Sequence, residues 1–511
     1  MSKLIYLVEV DCAVDAIGTV KTLYFSSGNY VTQPTETPAS TAYIPRLTQP
    51  GNLTRMMYQD ATTAGQSQVA YGTCELENVD GGLDYVLGYS LDKRKLRLLV
   101  GDPTQPYSSF TVAQRLTMQQ AEVTYKSLSI ILRDRQLELD MLLCQHRYGG
   151  TNVLPAGKDG TADIAGAAVP RLYGTALNFA PILCNTSLLI YQVHDGAIAT
   201  VSNVYDTGVA LTRGADYTSA AAVESIAPAN GQYCVYPAGG YFRLGSTPAG
   251  QITCDASQGA TAANRTCAQI LQQIALDMGL TAGDISAADV AALNAQNSAE
   301  CGVWVQDDSH GLSVMDAVAP SIGAYFGFDR LGMLRMGRLD IPSGTPVASI
   351  ALQSVKDIDR VRSNDANNGI PAYSVTLTYA KNYTVQTSGV AGSVTPARKL
   401  VIGLASQNAV AQDLTIPLKY QWSPAMTRDS LLVHQADASA ESARLLSIYK
   451  GDRNTFTVNV KLDQATIAAL DLGVVVSITV NRFGMNNGML LRVLGIAADY
   501  ASNSATLTLW G

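Results

Sequence analysis

The chain has 511 residues, of which 47% are hydrophobic and only 15% charged, with a formal net charge of -7. This length predicts about three or four domains. The shortage of Lys and Arg excludes a sequence-independent grip on DNA, which needs many phosphate-neutralising cations. Because Glu9 and Asp11 interrupt the first apolar run, we expect no signal peptide, and no stretch approaches the roughly 18 apolar residues of a membrane span.

The first two blocks of the chain predict β-structure. Residues 1–165 contain β-branched and aromatic runs such as KLIYLVEVD, which end at turn residues. The Gly-, Ala- and Asp-rich stretch 151–170 is typical of a linker or flexible loop. In residues 166–260, short strands are separated by turns about every 8 to 12 residues, a spacing that favours a sandwich or small barrel.

The third block, residues 261–345, changes to a helical period. Thr266 is a predicted N-cap and Gly279 a predicted C-terminal stop, and Ser286 is the predicted cap of a second helix. A third helix follows, and then a hairpin with its turn at Asp329 to Gly332. The apolar positions spaced four apart in the first of these helices are Ile270, Ile274 and Met278.

The fourth block, residues 346–511, is again predicted to be β, with one helix in LLVHQADASAESARLLSIYKG and a long exposed loop over residues 385–415. The predicted fold class is therefore mainly β with a smaller α+β section. It is multidomain, with β-barrel or sandwich, tube-like domains that flank a helix-containing middle. The predicted domains are a β domain at 1–165, a sandwich or barrel at 166–260, an α+β domain at 261–345 and a β-barrel with one helix at 346–511.

Motifs for catalysis or ligand binding are hard to find. His146, His194, His310 and His434 have no metal-ligand spacing. His310 follows Asp307 and Asp308 beside a helix start, where helix capping is favoured over a polar site. The pair Gly157-Lys158 fails as a phosphate loop, because Asp159 stands where Ser or Thr is needed. Two acids that meet only in space would still allow a hydrolase.

The Gly-rich stretch GGYFRLGSTPAGQITCDASQG, residues 239–259, looks at first like a ligand loop. Phosphate loops lie between a strand and a helix, whereas here two strands surround a turn at Pro248 and Gly250. We therefore predict that it forms a hairpin, binds nothing and locks one domain against the next. The sequence gives no catalytic, cofactor-binding or metal-binding residue, and no cofactor is expected.

The eight cysteines are spread along the chain without any Cys-x-x-Cys pair. This spacing predicts buried, reduced thiols rather than disulfides or a metal cluster. Only three tryptophans could serve as platforms for a carbohydrate, and core packing is the expected use of all three. They are Trp304, Trp422 and Trp510.

Several phrases resemble tail proteins of long-tailed bacteriophages. One is YFRLGSTPAGQITCDASQG followed by the helix TCAQILQQIAL, and another is GAYFGFDRLGMLRMGRL. The ending VNRFGMNNGMLLRVLGIAADYASNSATLTLWG is similar to the close of such proteins. The early phrase ENVDGGLDYVLGYSLDKRKLRLLVGD resembles the N-terminal domain of tail hub proteins, including those of gene transfer agents.

The resemblance implies a baseplate or tail-tip hub. Such a hub would be a homotrimer that joins the tail tube to the tip or fibre complex and forms part of the axial channel for DNA ejection. Its partners would be tube, baseplate, fibre or central spike proteins. DNA would pass without specific binding, and the protein would assemble in the host cytoplasm and reside in the virion. Some relatives hold an iron–sulfur cluster on grouped cysteines, a grouping that is missing here.

Two alternatives belong to other classes of function. The first is a tail-associated enzyme that degrades the cell envelope, which would need a pocket with clustered, perturbed acids. The second is a receptor-binding or carbohydrate-binding tail protein, which would expose aromatic platforms. A hub would instead show large apolar and strand-pairing contacts between subunits.

Overall fold

The computed structural model describes residues 4–152 and 159–511. It is 38% strand and 20% helix in several sheets, which confirms the predicted class of a mainly β, multidomain chain with a smaller α+β section. No sheet within these ranges closes into a barrel, so the expected barrel form is not found there. No helix in them is long and apolar enough to cross a membrane. Part of the predicted linker, and the Gly157-Lys158 pair, lie outside the described residues.

The first two blocks are built almost entirely from strands. The strands of the first block are β1 (Ile5–Ala13), β2 (Val20–Ser26), β3 (Tyr30–Val31), β4 (Ala42–Tyr43), β5 (Leu47–Met56), β6 (Tyr71–Glu77), β7 (Lys95–Gly101), β8 (Thr111–Val123) and β9 (Ser127–Arg133). The second block has β10 (Arg171–Phe179), β11 (Ile182–Asn185), β12 (Ile190–Gln192), β13 (Thr200–Asp206), β14 (Val209–Ala210), β15 (Thr212–Arg213), α1 (Ala220–Ser225), β16 (Gln232–Tyr236), β17 (Tyr241–Leu244) and β18 (Ile252–Ser257).

Helices enter in the third block and recur in the fourth. The third block has α2 (Cys267–Asp277), α3 (Ala287–Gln296), β19 (Gly302–Val305), α4 (Gly311–Val318), β20 (Ala324–Phe328) and β21 (Leu334–Arg338). The fourth has β22 (Ala348–Ala351), β23 (Val355–Val361), β24 (Ser374–Tyr379), α5 (Pro396–Ile402), β25 (Gln407–Gln412), α6 (Ile416–Lys419), β26 (Ala425–Arg428), α7 (Gln435–Tyr449), β27 (Thr455–Lys461), α8 (Gln464–Ala469), β28 (Val475–Thr479), β29 (Met489–Asp499) and β30 (Ser504–Trp510).

The largest sheet joins the two ends of the chain. It has 13 strands, in the order β2-β1-β7-β8-β9-β6-β5-β29-β30-β27-β23, with β28 also paired to β29 and β22 to β28. The junction is the antiparallel pair of β5 and β29, in which Leu53 lies opposite Ala498. The first and last blocks are therefore two halves of one sheet.

One hydrophobic core serves both halves of this sheet. Val8 and Leu98 from the first block share a cluster with Val458 and Leu507 from the last, and each is at most 1% exposed. Burying one such side chain contributes about 1.5–3 kcal/mol. The packing of the core thus reinforces the backbone pairing between β5 and β29.

The second block is a sandwich of two five-stranded sheets. Their orders are β14-β13-β18-β10-β19 and β11-β12-β17-β16-β15. Side chains from both sheets share one core, in which Phe179 stacks on Trp304 with ring centroids 4.6 Å apart, and Tyr191 stacks on Phe242. The turn spacing predicted either a sandwich or a small barrel, and the structure has the sandwich.

A separate core forms around the helices of the third block. It contains Leu271 of α2 and Met315 of α4, together with Leu377 of β24 and Leu446 of α7. The segment from β24 to α7 therefore packs on the helical middle of the molecule, although it belongs to the fourth block in sequence. The domain boundaries at 165, 260 and 345 remain predictions.

The predicted start of α2 and the predicted hairpin are present. The Thr266 hydroxyl accepts the N–H of Gln269 at the start of α2, and Gly279 follows the helix with φ +97. Strands β20 and β21 pair antiparallel across the turn from Asp329 to Gly332, whose N–H bonds the Asp329 carbonyl. At these places the local sequence pattern was enough to give the structure.

The prediction of a long loop at 385–415 was wrong. This stretch contains α5 and β25. The Thr395 hydroxyl caps α5 by accepting the N–H of Arg398, and Pro396 occupies its first turn. Strand β25 pairs with β24 and buries Ala409. The cap and the proline are visible in the sequence, but the strand QNAVAQ has only one of the β-branched and aromatic residues that usually mark a strand, Val410.

Candidate functional site

The Gly-rich stretch at 239–259 forms two strands around a turn, but the strands do not pair with each other. Strand β17 lies between β12 and β16, whereas β18 lies between β13 and β10 in the other sheet of the sandwich. The stretch is therefore a crossover between sheets and not the hairpin that we expected. The Asp206 carboxylate accepts the N–H groups of Ala249 (2.7 Å) and Gly250 (3.0 Å). A phosphate in this turn would need these two N–H groups as hydrogen-bond donors, but the Asp206 carboxylate already occupies them.

Asp255, at the end of this stretch, is the centre of a buried polar network. Its carboxylate accepts the Asn178 N–H at 2.8 Å and the Tyr205 hydroxyl at 3.0 Å. Arg398 of α5 lies over the Tyr205 ring, 3.9 Å from its centroid, and donates to the Asn178 side chain. The network thus connects the sandwich to a helix of the fourth block, and the predicted role of locking one domain against the next stays a prediction.

Each of the four histidines has its own hydrogen-bond partner. His146, His310 and His434 each contact one carboxylate, at 2.6, 2.6 and 2.8 Å. His194 is buried and accepts the N–H of Leu172, and burial lowers its pKa to about 4. Within residues 4–152 and 159–511, no three His, Cys, Asp or Glu side chains are grouped to hold a metal ion.

The polar residues before α4 do not converge. Asp307 accepts from Ser309, Asp308 pairs with Arg147, and the His310 ring contacts Asp140. His310 occupies the N-cap position of α4, but its side chain makes no capping hydrogen bond. The expected capping role is therefore not filled by that side chain.

The eight cysteines are buried thiols. Burial raises the pKa of Cys74 to about 12 and that of Cys144 to about 11. Thiols with such high pKa values hold their protons at neutral pH, so they are poor nucleophiles and poor metal ligands.

A cavity of about 660 Å³ lies where three parts of the chain meet. Tyr58 comes from the segment after β5, Asp316 from α4, and Arg428 and Tyr449 from β26 and α7. The Asp316 carboxylate accepts the N–H of Ser67, and burial raises the pKa of Asp316 to about 6. The volume is within the range of small-molecule sites, and Asp316 is its one perturbed acid among the described residues.

The prediction that all three tryptophans pack in cores was wrong for one of them. Trp304 and Trp510 are each at least 94% buried, but Trp422 is 86% exposed. It belongs to a group of large apolar side chains on the surface of α5, β25, α6 and their connections, which we call the apolar strip. The strip consists of Val385, Leu400, Val401, Leu404, Val410, Leu414, Leu418 and Trp422, which are 44–86% exposed.

The open edges of the sheets differ in charge. The large sheet ends in β2, β23 and β22. Strand β23 exposes Lys356, Asp357, Asp359 and Arg360, whereas β22 carries no charge. Charged side chains of this kind discourage accidental strand pairing. The small sheet β25-β24-β26 ends in β25, which carries no charge and has no second partner strand among the described residues.

Comparison with known proteins returns tail proteins. No family model and no curated protein sequence matches the chain. Among solved structures, it is similar to a tail protein from Neisseria meningitidis MC58, at 11% identity over 99% of this chain and 96% of that one, with a TM-score of 0.39. A 43 kDa tail protein of prophage MuSo2 from Shewanella oneidensis gives 10% identity over 100% and 96%, also with a TM-score of 0.39.

A chain of the virion of a native gene transfer agent is similar at 17% identity over 68% of this chain and 84% of that one, with a TM-score of 0.42.

Proposed function

We propose that this protein is the structural hub of a bacteriophage tail tip or baseplate. It joins the tail tube to the tip or fibre complex. The observation that carries the proposal is the 13-stranded sheet, in which the first and last blocks form two β halves side by side. Three such chains around an axis present six β halves, which is what a sixfold tube requires from a threefold tip.

The proposed assembly is a homotrimer around an axial channel. Closed rotational symmetry limits growth, whereas an open head-to-tail contact would continue into a filament. Obligate interfaces of this kind bury more than about 2,000 Å² in total. The two halves of the large sheet would form the ring, and the sandwich and the helical middle would lie outside it.

The charge of the chain suits a channel through which DNA passes. The net charge is -7, and binding to phosphates without sequence preference depends on many Lys and Arg contacts. A neutral or acidic lining lets DNA slide without adhesion. The further partners are tube proteins above the hub and baseplate, fibre or spike proteins below it, in a virion assembled in the host cytoplasm.

Imaging of the intact tail tests this function. We expect three copies on the tail axis, directly below the tube, with the large sheets facing the channel. Six copies in a true sixfold ring would instead make the protein a tube adaptor. A position away from the axis would make it a fibre or receptor-binding protein, and either result would refute the hub.

The cavity at Asp316 favours one alternative, an enzyme or receptor-binding protein of the tail. A half-buried carboxylate with a pKa of about 6 could act as a general acid. The test is hydrolysis of host cell-wall material by the purified protein and by Asp316→Asn. The hub proposal predicts no hydrolysis by either protein, whereas hydrolysis that the substitution abolishes would establish the enzyme.

A further inference from the structure

The apolar strip concentrates exposed apolar side chains in one short part of the chain. Eight large apolar side chains fall within residues 385–422, and the exposed fraction reaches 84% at Leu418 and 86% at Trp422. Large apolar side chains as exposed as Leu418 and Trp422 are depleted on the surface of a monomer and are enriched where proteins bind one another.

The strip lies beside the open edge of β25, which pairs on its other side with β24. The side chain of Val410 points to the side of β25 opposite α7, because its neighbour Ala409 is buried in the core that α7 shares. Leu400 precedes β25 and Leu418 follows it. Since β25 has six residues, about 20 Å of uncharged edge connects the two groups of apolar side chains.

The charge of the segment indicates what covers it. Residues 385–422 contain Arg398, Lys399 and Lys419 against Asp413 alone, which gives a net charge of +2. The whole chain has -7, so the rest of the chain carries -9. A second copy of this chain is therefore an acidic partner for a segment that is both apolar and basic.

We infer that the apolar strip, together with the edge of β25, is a surface outside the ring of large sheets through which one copy of the chain packs against the next. This inference rests on the proposed trimer and adds the location of a subunit contact. Trp422 and Leu418 become buried on assembly, and the backbone of β25 gains hydrogen-bonding partners from the neighbouring copy. Lys399 and Lys419 lie near acidic groups of that copy.

The test compares a strip variant with a matched control. The variant carries Leu418→Ser and Trp422→Ser. The control carries Ile226→Ser, which replaces an exposed apolar residue of the sandwich. Mass by light scattering is measured over a range of concentrations, and hydrogen exchange of β25 is followed in parallel. These side chains are exposed, so the chain should stay folded in both variants, which circular dichroism checks.

The expected result is a trimer for the wild type and the control, with β25 protected from exchange, and association weakened at least about tenfold in the strip variant. A trimer that is unchanged in the strip variant, with β25 exchanging freely, overturns the inference and leaves the proposed trimer intact. A wild-type protein that stays a single chain both in solution and in the tail overturns both.

Discussion

The carboxylates of Asp134 and Asp316 hydrogen-bond to the segment that connects β5 to β6, and burial raises the pKa of both. Asp134 accepts the N–H of Ala70, and Asp316 accepts that of Ser67. Burial raises the pKa of both carboxyls to about 6, from an ordinary value of 3.8. Each carboxyl therefore binds its proton more tightly in the folded chain than in the unfolded chain.

These carboxyls predict a pH-dependent stability. Between about pH 4 and pH 6 only the folded state holds their protons, so the free energy of unfolding falls as the pH rises through this window. We expect Asp316→Asn to flatten this slope, because its amide oxygen still accepts from Ser67 while no proton is exchanged. Urea unfolding at pH 4.5 and pH 7 measures the change. The exposed Asp359→Asn is the control, and an Asp316→Asn slope equal to the wild type's would contradict the assignment.

The buried thiols give a second prediction at this scale. We expect that titration with a thiol reagent, after denaturation without reductant, finds close to all eight cysteines reduced. In the native protein the reaction should be slow, because burial raises the pKa of thiols such as Cys74. Fast native labelling, a deficit of thiols or bound iron at several atoms per chain would each refute this picture.

Helix α2 shows how one element depends on one side chain. Thr266 is 1% exposed, accepts the Gln269 N–H and donates to the Asn294 side chain of α3 at 2.5 Å. The hydroxyl therefore caps one helix and connects it to the next. Both helices pack in the core of the middle region, so the loss of this group affects more than one turn of helix.

We expect Thr266→Ala to destabilise the protein by about 1–2 kcal/mol, the usual cost of losing a buried cap. Thr266→Ser keeps the oxygen and should recover most of this loss. Urea unfolding, followed by circular dichroism at the helix band, gives both values. If the two variants lost equal stability, the methyl group rather than the hydroxyl would be responsible.

The elements that the sequence predicted are those with local signals. The cap at Thr266, the stop at Gly279 and the turn at Asp329 lie within a few residues of what they control. Strand β25 was missed because its residues have low strand propensity and its pairing with β24 depends on residues about 30 positions away. The exposure of Trp422 was not predicted, because the identity of one apolar residue does not indicate whether its side chain faces the core or the solvent.

At the scale of the whole molecule, the junction of β5 and β29 was beyond sequence reasoning. Leu53 and Ala498 are separated by most of the chain, and each strand reads only as an ordinary β-run. The residues within each strand do not specify which distant strand it pairs with. The register of the pair is set instead by which side chains the core buries. The two tube-like domains predicted at opposite ends of the chain are thus halves of one body.

This junction can be tested with proline. Ala497 pairs with Thr54 on one side and with Thr506 on the other. We expect Ala497→Pro to prevent stable folding of both sheet halves. Proline has no backbone N–H to donate to the neighbouring strand, and a central strand has no room for its pyrrolidine ring. The same change at Val361, the last residue of the edge strand β23, should cost much less. Comparable yields of soluble, protease-resistant protein from both variants would contradict a continuous sheet.

The junction also sets the order of events during synthesis. The first half of the sheet leaves the ribosome well before β29, the strand that completes the edge of β5, which is made more than 400 residues later (β5 ends at Met56 and β29 begins at Met489). Until then β5 presents an unpaired edge and part of an unfinished core, the state in which chains aggregate. A nascent chain therefore cannot complete its first half before β29 emerges. Slow late translation or loss of the final strands should lower the yield of the whole protein and not only of its C-terminal part.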